Sequence, residues 1–447
     1  MRFYFVILFI TFFISCGQDK DHAQHTEAHK SESVTQQETR SASTIAMANA
    51  LKDLSASTTS INSYKSTQRA KTIYDAAQNL DINNKINQLV LAAYQLLLSG
   101  DVRKTLTRVD EIDALIKANN ITLNSGGRNR IDMIRSLAYL RMGEIENCLH
   151  NHSEHSCIIP LDASSYHELE EGSTEAIALF KKILATKRDL NFAWLLNIGY
   201  MTLGKYPEQV PKEFLIPLSP QEKQGLLPKF KNVASLLNID DNKLSGGVII
   251  DDLNGNGFPD IMVSSWDLDH QLFFYVNNGD GTFTNKYLEA GLEGITGGLN
   301  MIHADYNNDG HLDIFILRGA WMSYGNFPNS LLKNNGDGTF SDVTKASGIY
   351  SLHPTQTACF ADFNNDGHLD VFIGNESMQG INNSCELFVS NGDGTFTEKA
   401  ASLNANIVGF VKGVTTSDYD NDGDVDIFLS LNGAENILLK NDLKEGS

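Results

Sequence analysis

Four short acidic segments hold the side chains in this chain best suited to bind a cation. They are DLNGNGFPD (252–260), DYNNDGHLD (305–313), DFNNDGHLD (362–370) and DYDNDGDVD (418–426), and they align without gaps on D-x-[DN]-x-[DN]-G-x-x-D. Calcium is a hard cation that takes six to eight oxygen ligands. In a tight loop the alternate positions 1, 3 and 5 turn their oxygens toward one centre. Glycine at position 6 allows the sharp bend that brings the position 9 carboxylate back to the ion. A backbone carbonyl at position 7 completes such a set, which leaves the side chains of Phe258, His311, His368 and Asp424 free to differ. The expected ligands are Asp252, Asn254, Asn256 and Asp260 in loop 1, and Asp305, Asn307, Asp309 and Asp313 in loop 2. Loop 3 supplies Asp362, Asn364, Asp366 and Asp370, and loop 4 supplies Asp418, Asp420, Asp422 and Asp426. This predicts up to four structural Ca²⁺ ions. Carboxylates number two, three, three and four, so ligand charge ranks loop 1 weakest and loop 4 strongest.

The elements around these loops are strands. Each loop leads into an apolar run (IMVSS, IFILR, VFIGN, IFLSL), where an EF-hand would lead into a helix. Each is therefore read as the connection of a strand–loop–strand hairpin. A second motif recurs as NNGDGTF (277–283), NNGDGTF (334–340) and SNGDGTF (390–396). Its Gly-Asp-Gly centre reads as a tight hairpin turn. A third begins at the closing phenylalanines (FTNKYLEAGL, FSDVTKASGI, FTEKAASLNA), and FKNVASLLNI at Phe230 has the same shape. Loop starts are 53, 57 and 56 residues apart, a spacing suited to the blades of a β-propeller.

Residues 45–225 show helical periodicity and almost no strand signal. Ile45, Leu51 and Leu54 space one apolar stripe, and Val90, Ala93, Tyr94 and Leu97 another. Three segments, 93–101, 138–144 and 199–206, read as helices each closed by a glycine (Gly100, Gly143, Gly204). EAIALFKKIL (175–184) resembles the second helix of a tetratricopeptide repeat, with Ala176 and Phe180 at its packing positions. The glycines lie 43 and 61 residues apart, so the expectation is a stacked array of degenerate repeats with insertions, or else an irregular bundle. YPEQVPKEFLIP (206–217) breaks the helical pattern and marks the boundary.

The amino terminus reads as a processing signal. Phe3–Ile14 is apolar over about 12 residues, short of the roughly 20 that span a bilayer. Phe13-Ile14-Ser15-Cys16-Gly17 resembles a bacterial lipobox, which implies cleavage before Cys16, lipidation of that cysteine and sorting to the outer membrane or cell surface. The divisions are then a signal peptide (1–15), a lipidated cysteine with a polar tether (16–44), a helical domain (45–225) and the β repeats (226–447). His22, His25 and His29 read as part of the solvated tether. In an oxidising compartment Cys148 pairs with Cys157 within one loop, with zinc as the rival because His150, His152 and His155 lie between or beside them. Cys359 and Cys385 are placed on neighbouring strands of one blade and expected to form a second disulfide. The formal charge of −20 excludes a nucleic-acid partner.

Taken together, the 252–426 loops and the GDGTF turns resemble the FG-GAP/VCBS repeat, the calcium-loop propeller blade shared with integrin alpha chains. The order of lipobox, helices, cysteine loop and GGVIIDDLNGNGFPD resembles the cartilage-acidic-protein/UnbV-type group. That resemblance implies a multidomain α + β protein, with an N-terminal α-helical TPR-like array and four calcium-loop blades of a larger, seven-bladed propeller. The fourth repeat ends at LLKNDLKEGS, where the second has LLKNNGDGTF. Either the chain is a fragment, or the Phe230 segment supplies the outer strand of blade four and closes a four-bladed ring. The chain shows no G-x-S-x-G and no H-E-x-x-H, so no catalytic residue is assigned. The expected function is a non-catalytic, calcium-binding surface lipoprotein that binds a protein or glycan as adhesin or scaffold. The alternatives are a carbohydrate-active or phosphoester-cleaving enzyme on the propeller face, and an envelope assembly factor docking partners through its helices. Trp266, Trp321 and Tyr324 are candidates for stacking on sugars or for packing between blades.

Overall fold

The computed structural model describes residues 40–58, 66–150, 159–218, 230, 232–241, 244–321, 327–378 and 380–443, with only the backbone given for 148–150. The lipobox, Cys157 with the pairing expected for it, the histidines assigned to the tether and the cysteine loop, and Tyr324 fall outside the described side chains. Among the described residues no helix is long and apolar enough to cross a membrane. The chain divides into two compact units, one helical and one built on the β repeats.

In the helical unit, α2 (Ser66–Ala77), α3 (Ile82–Leu98), α4 (Val102–Ala118), α5 (Ser125–His150), α6 (Glu171–Thr186) and α7 (Leu190–Thr202) each pack on the next. Asp81, Asp101 and Asp189 cap α3, α4 and α7 by accepting otherwise unmet backbone N–H groups. The predicted stripe of α3 is inside: Val90 and Ala93 are buried, and Tyr94 and Leu97 pack against them partly covered. Ala176 and Phe180 are fully buried with Leu196 in a second cluster. Gly100 and Gly204 close their helices at positive φ as expected. Gly143 does not, because α5 runs on to His150. Its role is close packing: a Cβ on Gly172 of α6 would lie 2.5 Å from the Gly143 nitrogen.

The β unit contains four antiparallel sheets in sequence order. Sheet 1 joins β1 (Ser245–Asp251), β2 (Asp260–Ser265), β3 (Phe273–Asn277) and β4 (Phe283–Asn285). Sheet 2 joins β5 (Asn300–Ala304), β6 (Asp313–Leu317), β7 (Ser330–Asn334) and β8 (Phe340–Asp342). Sheet 3 joins β9 (Thr355–Ala361), β10 (Asp370–Asn375), β11 (Glu386–Ser390) and β12 (Phe396–Glu398). Sheet 4 has three strands, β13 (Val411–Ser417), β14 (Asp426–Leu431) and β15 (Ile437–Leu439). The first strands lie side by side in the order β1, β5, β9, β13, and each acidic loop joins the first strand of its sheet to the second. Phe230 is fully exposed and belongs to no strand, and among the described residues β15 pairs with β14 alone.

Apolar cores fill the spaces between successive sheets. Met262, Phe274, Ile314, Leu332 and Phe340 close sheet 1 on sheet 2. Phe315, Leu331, Val371 and Phe388 close sheet 2 on sheet 3, and Phe372, Leu387, Val411 and Leu429 close sheet 3 on sheet 4. The second strands show where this stacking stops. DIFIL of β6 and DVFIGN of β10 are buried at every position, whereas β2 and β14 cover alternate residues more fully. A strand covered on both faces reads as a continuous apolar run.

Two expectations change here. The stripe at Ile45, Leu51 and Leu54 belongs to α1 (Ala42–Thr58), which packs as part of the β unit. Its Met47 and Leu51 enter the core between sheets 1 and 2, and its Thr44 hydroxyl accepts the Asp342 N–H at 2.9 Å. Periodicity reveals that a helix has an apolar face but not which surface covers it. The Cys359–Cys385 disulfide is also corrected, since both are free thiols. Phe372 of β10 faces Cys359 on one side and Leu387 on the other, so β10 runs between the two cysteines. Two strand spacings are about 9–10 Å, beyond the ~7 Å Cα separation that a disulfide tolerates. Burial pushes the Cys359 thiol up to about 12 and that of Cys385 up to about 11.

Candidate metal centres

The four acidic loops fold alike because the same side chains close the same backbone turns. In loop 2, the Asp305 carboxylate accepts the N–H groups of Asp309 (3.0 Å) and Gly310 (2.8 Å). Asn307 Oδ1 also accepts from Asp309 N, at 3.0 Å, and Asp309 Oδ1 accepts from His311 N at 3.1 Å. Asp252, Asp362 and Asp418 make the position 1 bonds of their own loops. The position 6 glycines take φ from 85° to 95°, which a side chain rarely tolerates. The predicted ligand positions therefore lie on one small ring of backbone in each sheet.

Position 9 is the buried wall of each loop. Asp260, Asp313, Asp370 and Asp426 are at most 1% exposed. In each, Oδ1 accepts a backbone N–H from the third strand or just beyond it: Asn277 (2.8 Å), Asn334 (2.7 Å), Ser390 (2.7 Å) and Asn441 (2.8 Å). These donors are the residues that precede the Gly-Asp-Gly turns or their counterpart in sheet 4. The NNGDGTF motif is thus more than a hairpin turn, because its first residue holds the loop's closing carboxylate. Oδ2 of Asp260 and Oδ2 of Asp313 are buried with no hydrogen-bond partner. Burial, with Asp309 and Asp305 nearby, pushes Asp313 up to about 7, and burial pushes Asp370 up to about 6.

A buried carboxylate oxygen without a donor is costly unless a cation faces it. Acidic oxygens of Asp305, Asp309 and Asp313 lie within 4.8 Å of one another, as do those of Asp418, Asp420 and Asp426. These groups could hold a metal ion, and the all-oxygen donor set suits a hard one. Loop 1 brings two carboxylates with its asparagines. In loop 3, Asn364 Nδ2 donates to Asp366 Oδ2 at 2.9 Å, so that amide must turn before its oxygen and Asp366 can face one ion together.

Features beyond the nine-residue pattern also shape the loops. Position 4 is left-handed in every loop: Gly255 (φ 74°), Asn308 (58°), Asn365 (57°) and Asn421 (59°). Asparagine tolerates that conformation better than most residues. Asn308 Nδ2 donates to Gly367 O of loop 3 at 3.0 Å, and Asn365 Nδ2 donates to Gly423 O (3.3 Å) and Asp424 Oδ1 (3.1 Å) of loop 4. Asn334 Nδ2 reaches Leu253 O of loop 1 at 2.7 Å, and Asn441 Nδ2 reaches Phe363 O of loop 3 at 2.7 Å. Consecutive loops are therefore bonded to one another.

The candidate sugar-stacking residues lie elsewhere. Trp266 is buried between sheets 1 and 2 with Leu268 and Phe327, and its indole N–H donates to Ala320 O at 3.0 Å. Trp321 is 40% exposed, but the Lys412 ammonium sits 3.3 Å from its ring centroid and Phe410 packs on it edge-on. Lys412 is in turn bound by the fully buried Glu376, whose other oxygen accepts Trp321 N at 2.6 Å. One face of the Trp321 ring is thereby covered.

A sequence profile described as an FG-GAP-like repeat matches this stretch three times, at residues 252–316, 305–373 and 362–429. Among characterised proteins the chain is similar to cartilage acidic protein 1. It is 29% identical to that of Xenopus tropicalis over 181 residues, covering 40% of this chain and 26% of the relative. For the Homo sapiens protein the figures are 32% over 143 residues, with 32% and 20% covered. For the Mus musculus protein they are 31% over 166 residues, with 35% and 24% covered. The matched stretch spans about a quarter or less of these relatives' length.

Proposed function

We propose that the β unit binds calcium in its four loops, and that the ions stiffen a non-catalytic binding scaffold presented outside the cell. The observation that carries this is the pair of buried, unpartnered oxygens, Asp260 Oδ2 and Asp313 Oδ2, on the inner wall of two loops. In loop 2 the ion would be held by Asp305, Asn307, Asp309 and Asp313, with corresponding residues in the other loops. Bound Ca²⁺ would supply positive charge facing the buried position 9 carboxylates, offsetting the burial that pushes Asp260, Asp313 and Asp370 up. The chain's own part is to fix the oxygens beforehand through the position 1 turn bonds and the Asn277, Asn334, Ser390 and Asn441 amides.

The wider reading follows from the lipobox resemblance at Cys16. It is a lipid-anchored protein at the outer membrane or cell surface that recognises a protein or glycan, with the helical unit acting as a TPR-like peptide-binding array. Calorimetric titration of the chelator-stripped chain should show Ca²⁺ uptake, and Asp313→Asn should remove one site. No heat of binding at millimolar Ca²⁺ would sink the calcium reading. A glycan and peptide array with and without chelator separates the two units: calcium-dependent glycan capture favours the sheets, and chelator-insensitive peptide capture favours the helices.

A further inference from the structure

At the end of the third strand of sheets 1 to 3, and one residue beyond it in sheet 4, the residue just before the one that clamps position 9 is Val276, Lys333, Val389 and Lys440 in turn. The valines and lysines alternate, and the lysines belong to the two loops whose acidic oxygens crowd within 4.8 Å. Lys333 Nζ lies 3.2 Å from Asp309 Oδ2, the position 5 ligand of loop 2. Lys440 Nζ lies 2.8 Å from Asp420 Oδ2 and 3.1 Å from Asp422 Oδ2, positions 3 and 5 of loop 4, and 3.0 Å from Asp442. In loop 3, where Val389 offers no charge, the free oxygen of Asp366 takes the Asn364 amide instead.

We infer that Lys333 and Lys440 are tethered counter-cations: each occupies ligand oxygens of its loop while no metal is bound, and each must give them up when a divalent ion enters. This inference deepens the calcium reading and rests on it for the ion. An ammonium within 3.2 Å of a carboxylate competes directly with a metal for the same lone pairs. It also relieves the repulsion that would otherwise spread the empty loop. With the lysine counted, loop 4 keeps three uncompensated carboxylates, no more than loop 3, and loop 2 keeps one fewer. The ranking by ligand charge alone therefore fails. Loop 3 holds calcium at least as tightly as loop 4, and loop 2 falls below both.

The test uses the full chain with Lys333→Val, Lys440→Val and the double variant, valine being the residue that sheets 1 and 3 already carry. Lys333→Arg and Lys440→Arg serve as charge-keeping controls. Calorimetric Ca²⁺ titration should show the two altered loops binding about tenfold more tightly, with wild-type affinity in the arginine variants. Melting in chelator should move the opposite way, the valine variants unfolding at lower temperature than wild type. Unchanged or weaker Ca²⁺ binding in the valine variants overturns the inference. If the wild type itself takes up no Ca²⁺, the calcium reading fails separately, and the melts in chelator still judge the lysines: no loss on removing them overturns their role.

Discussion

Asp313→Asn should stabilise the β unit in chelator and destabilise it in calcium, a change of sign that only a metal-site carboxylate produces. Asp313 is 1% exposed, its Oδ2 is buried with no hydrogen bond of normal geometry, and its carboxyl is pushed up to about 7. An unfolded aspartate titrates near 3.9. The folded state thus holds its proton more tightly than the unfolded state. This contribution to stability is fully present below about pH 4 and is lost as pH rises toward and through about 7. At about 1.4 kcal/mol per unit, the gap amounts to roughly 4 kcal/mol of destabilisation at pH 8 relative to a neutral group. Asparagine is that neutral group, and its Oδ1 can still accept the Asn334 N–H. The assay is urea unfolding in chelator at pH 5, 6.5 and 8, repeated in millimolar Ca²⁺. Wild type in chelator should lose about 2–3 kcal/mol between pH 5 and 8 from this residue, and the variant should lose correspondingly less. In Ca²⁺ the wild type should flatten, because the ion holds the carboxylate ionised, and the variant should become the weaker protein. A variant less stable than wild type in chelator at pH 8, or a wild-type profile equally steep with and without Ca²⁺, would refute the reasoning.

Two further substitutions probe contacts between elements. Asn308→Ala removes the bond to Gly367 O of loop 3 and puts a less tolerant residue at φ 58°. It should cost roughly 1–2 kcal/mol and weaken Ca²⁺ binding in loop 3 as well as loop 2, whereas calorimetry showing one affected site would refute the link. Gly172→Ala places a Cβ 2.5 Å from Gly143 N and 2.6 Å from Tyr139 O, both backbone atoms that cannot swing aside. Forcing α5 and α6 apart should cost about 1–3 kcal/mol, read as a lower melting temperature in the helical far-ultraviolet signal.

The turns of the acidic loops were legible because each loop is local: the side-chain oxygens and the bend lie within nine residues, so their spacing alone states the backbone geometry. The strand runs were legible for the same reason, and IFIL and VFIG even announce by their unbroken apolarity that they are covered on both faces. What escaped was set by partners distant in sequence. Asn334 reads as part of a turn, yet its amide reaches Leu253, 81 residues away. Lys333 drew no reading from the sequence, because the loop that its ammonium meets at Asp309 lies on a different segment. Cys359 and Cys385 share a sheet, but sharing a sheet does not make two strands neighbours. Of the two readings of Trp266, sugar stacking and packing between blades, the second holds, and it is decided by Leu268 and the distant Phe327, which complete its core.

The repeats and the sheets are also out of phase, which explains how sequence-local units make a continuous stack. The profile match at 252–316 begins in the loop of sheet 1 and ends in β6 of sheet 2, so each repeat in sequence belongs to two sheets. Its first three strands, β2 to β4, finish sheet 1 and its last two, β5 and β6, begin sheet 2. Phe340 N donates to Ala290 O at 2.9 Å and Phe396 N to Ser347 O at 2.7 Å, so the outer strand of one sheet is bonded to the turn that follows the outer strand before it. Loops 1, 2 and 3 sit at the phase boundary, each at the point where a matched repeat begins, and loop 4 lies near the end of the third match. An ion there would bind side chains of one sheet, while Asn308, Asn334, Asn365 and Asn441 carry its effect to the neighbouring loop. That placement is what a stiffening role would require: the hydrogen bonds made by the loops run along the stack of sheets, from loop 2 to loop 3 and from loop 3 to loop 4.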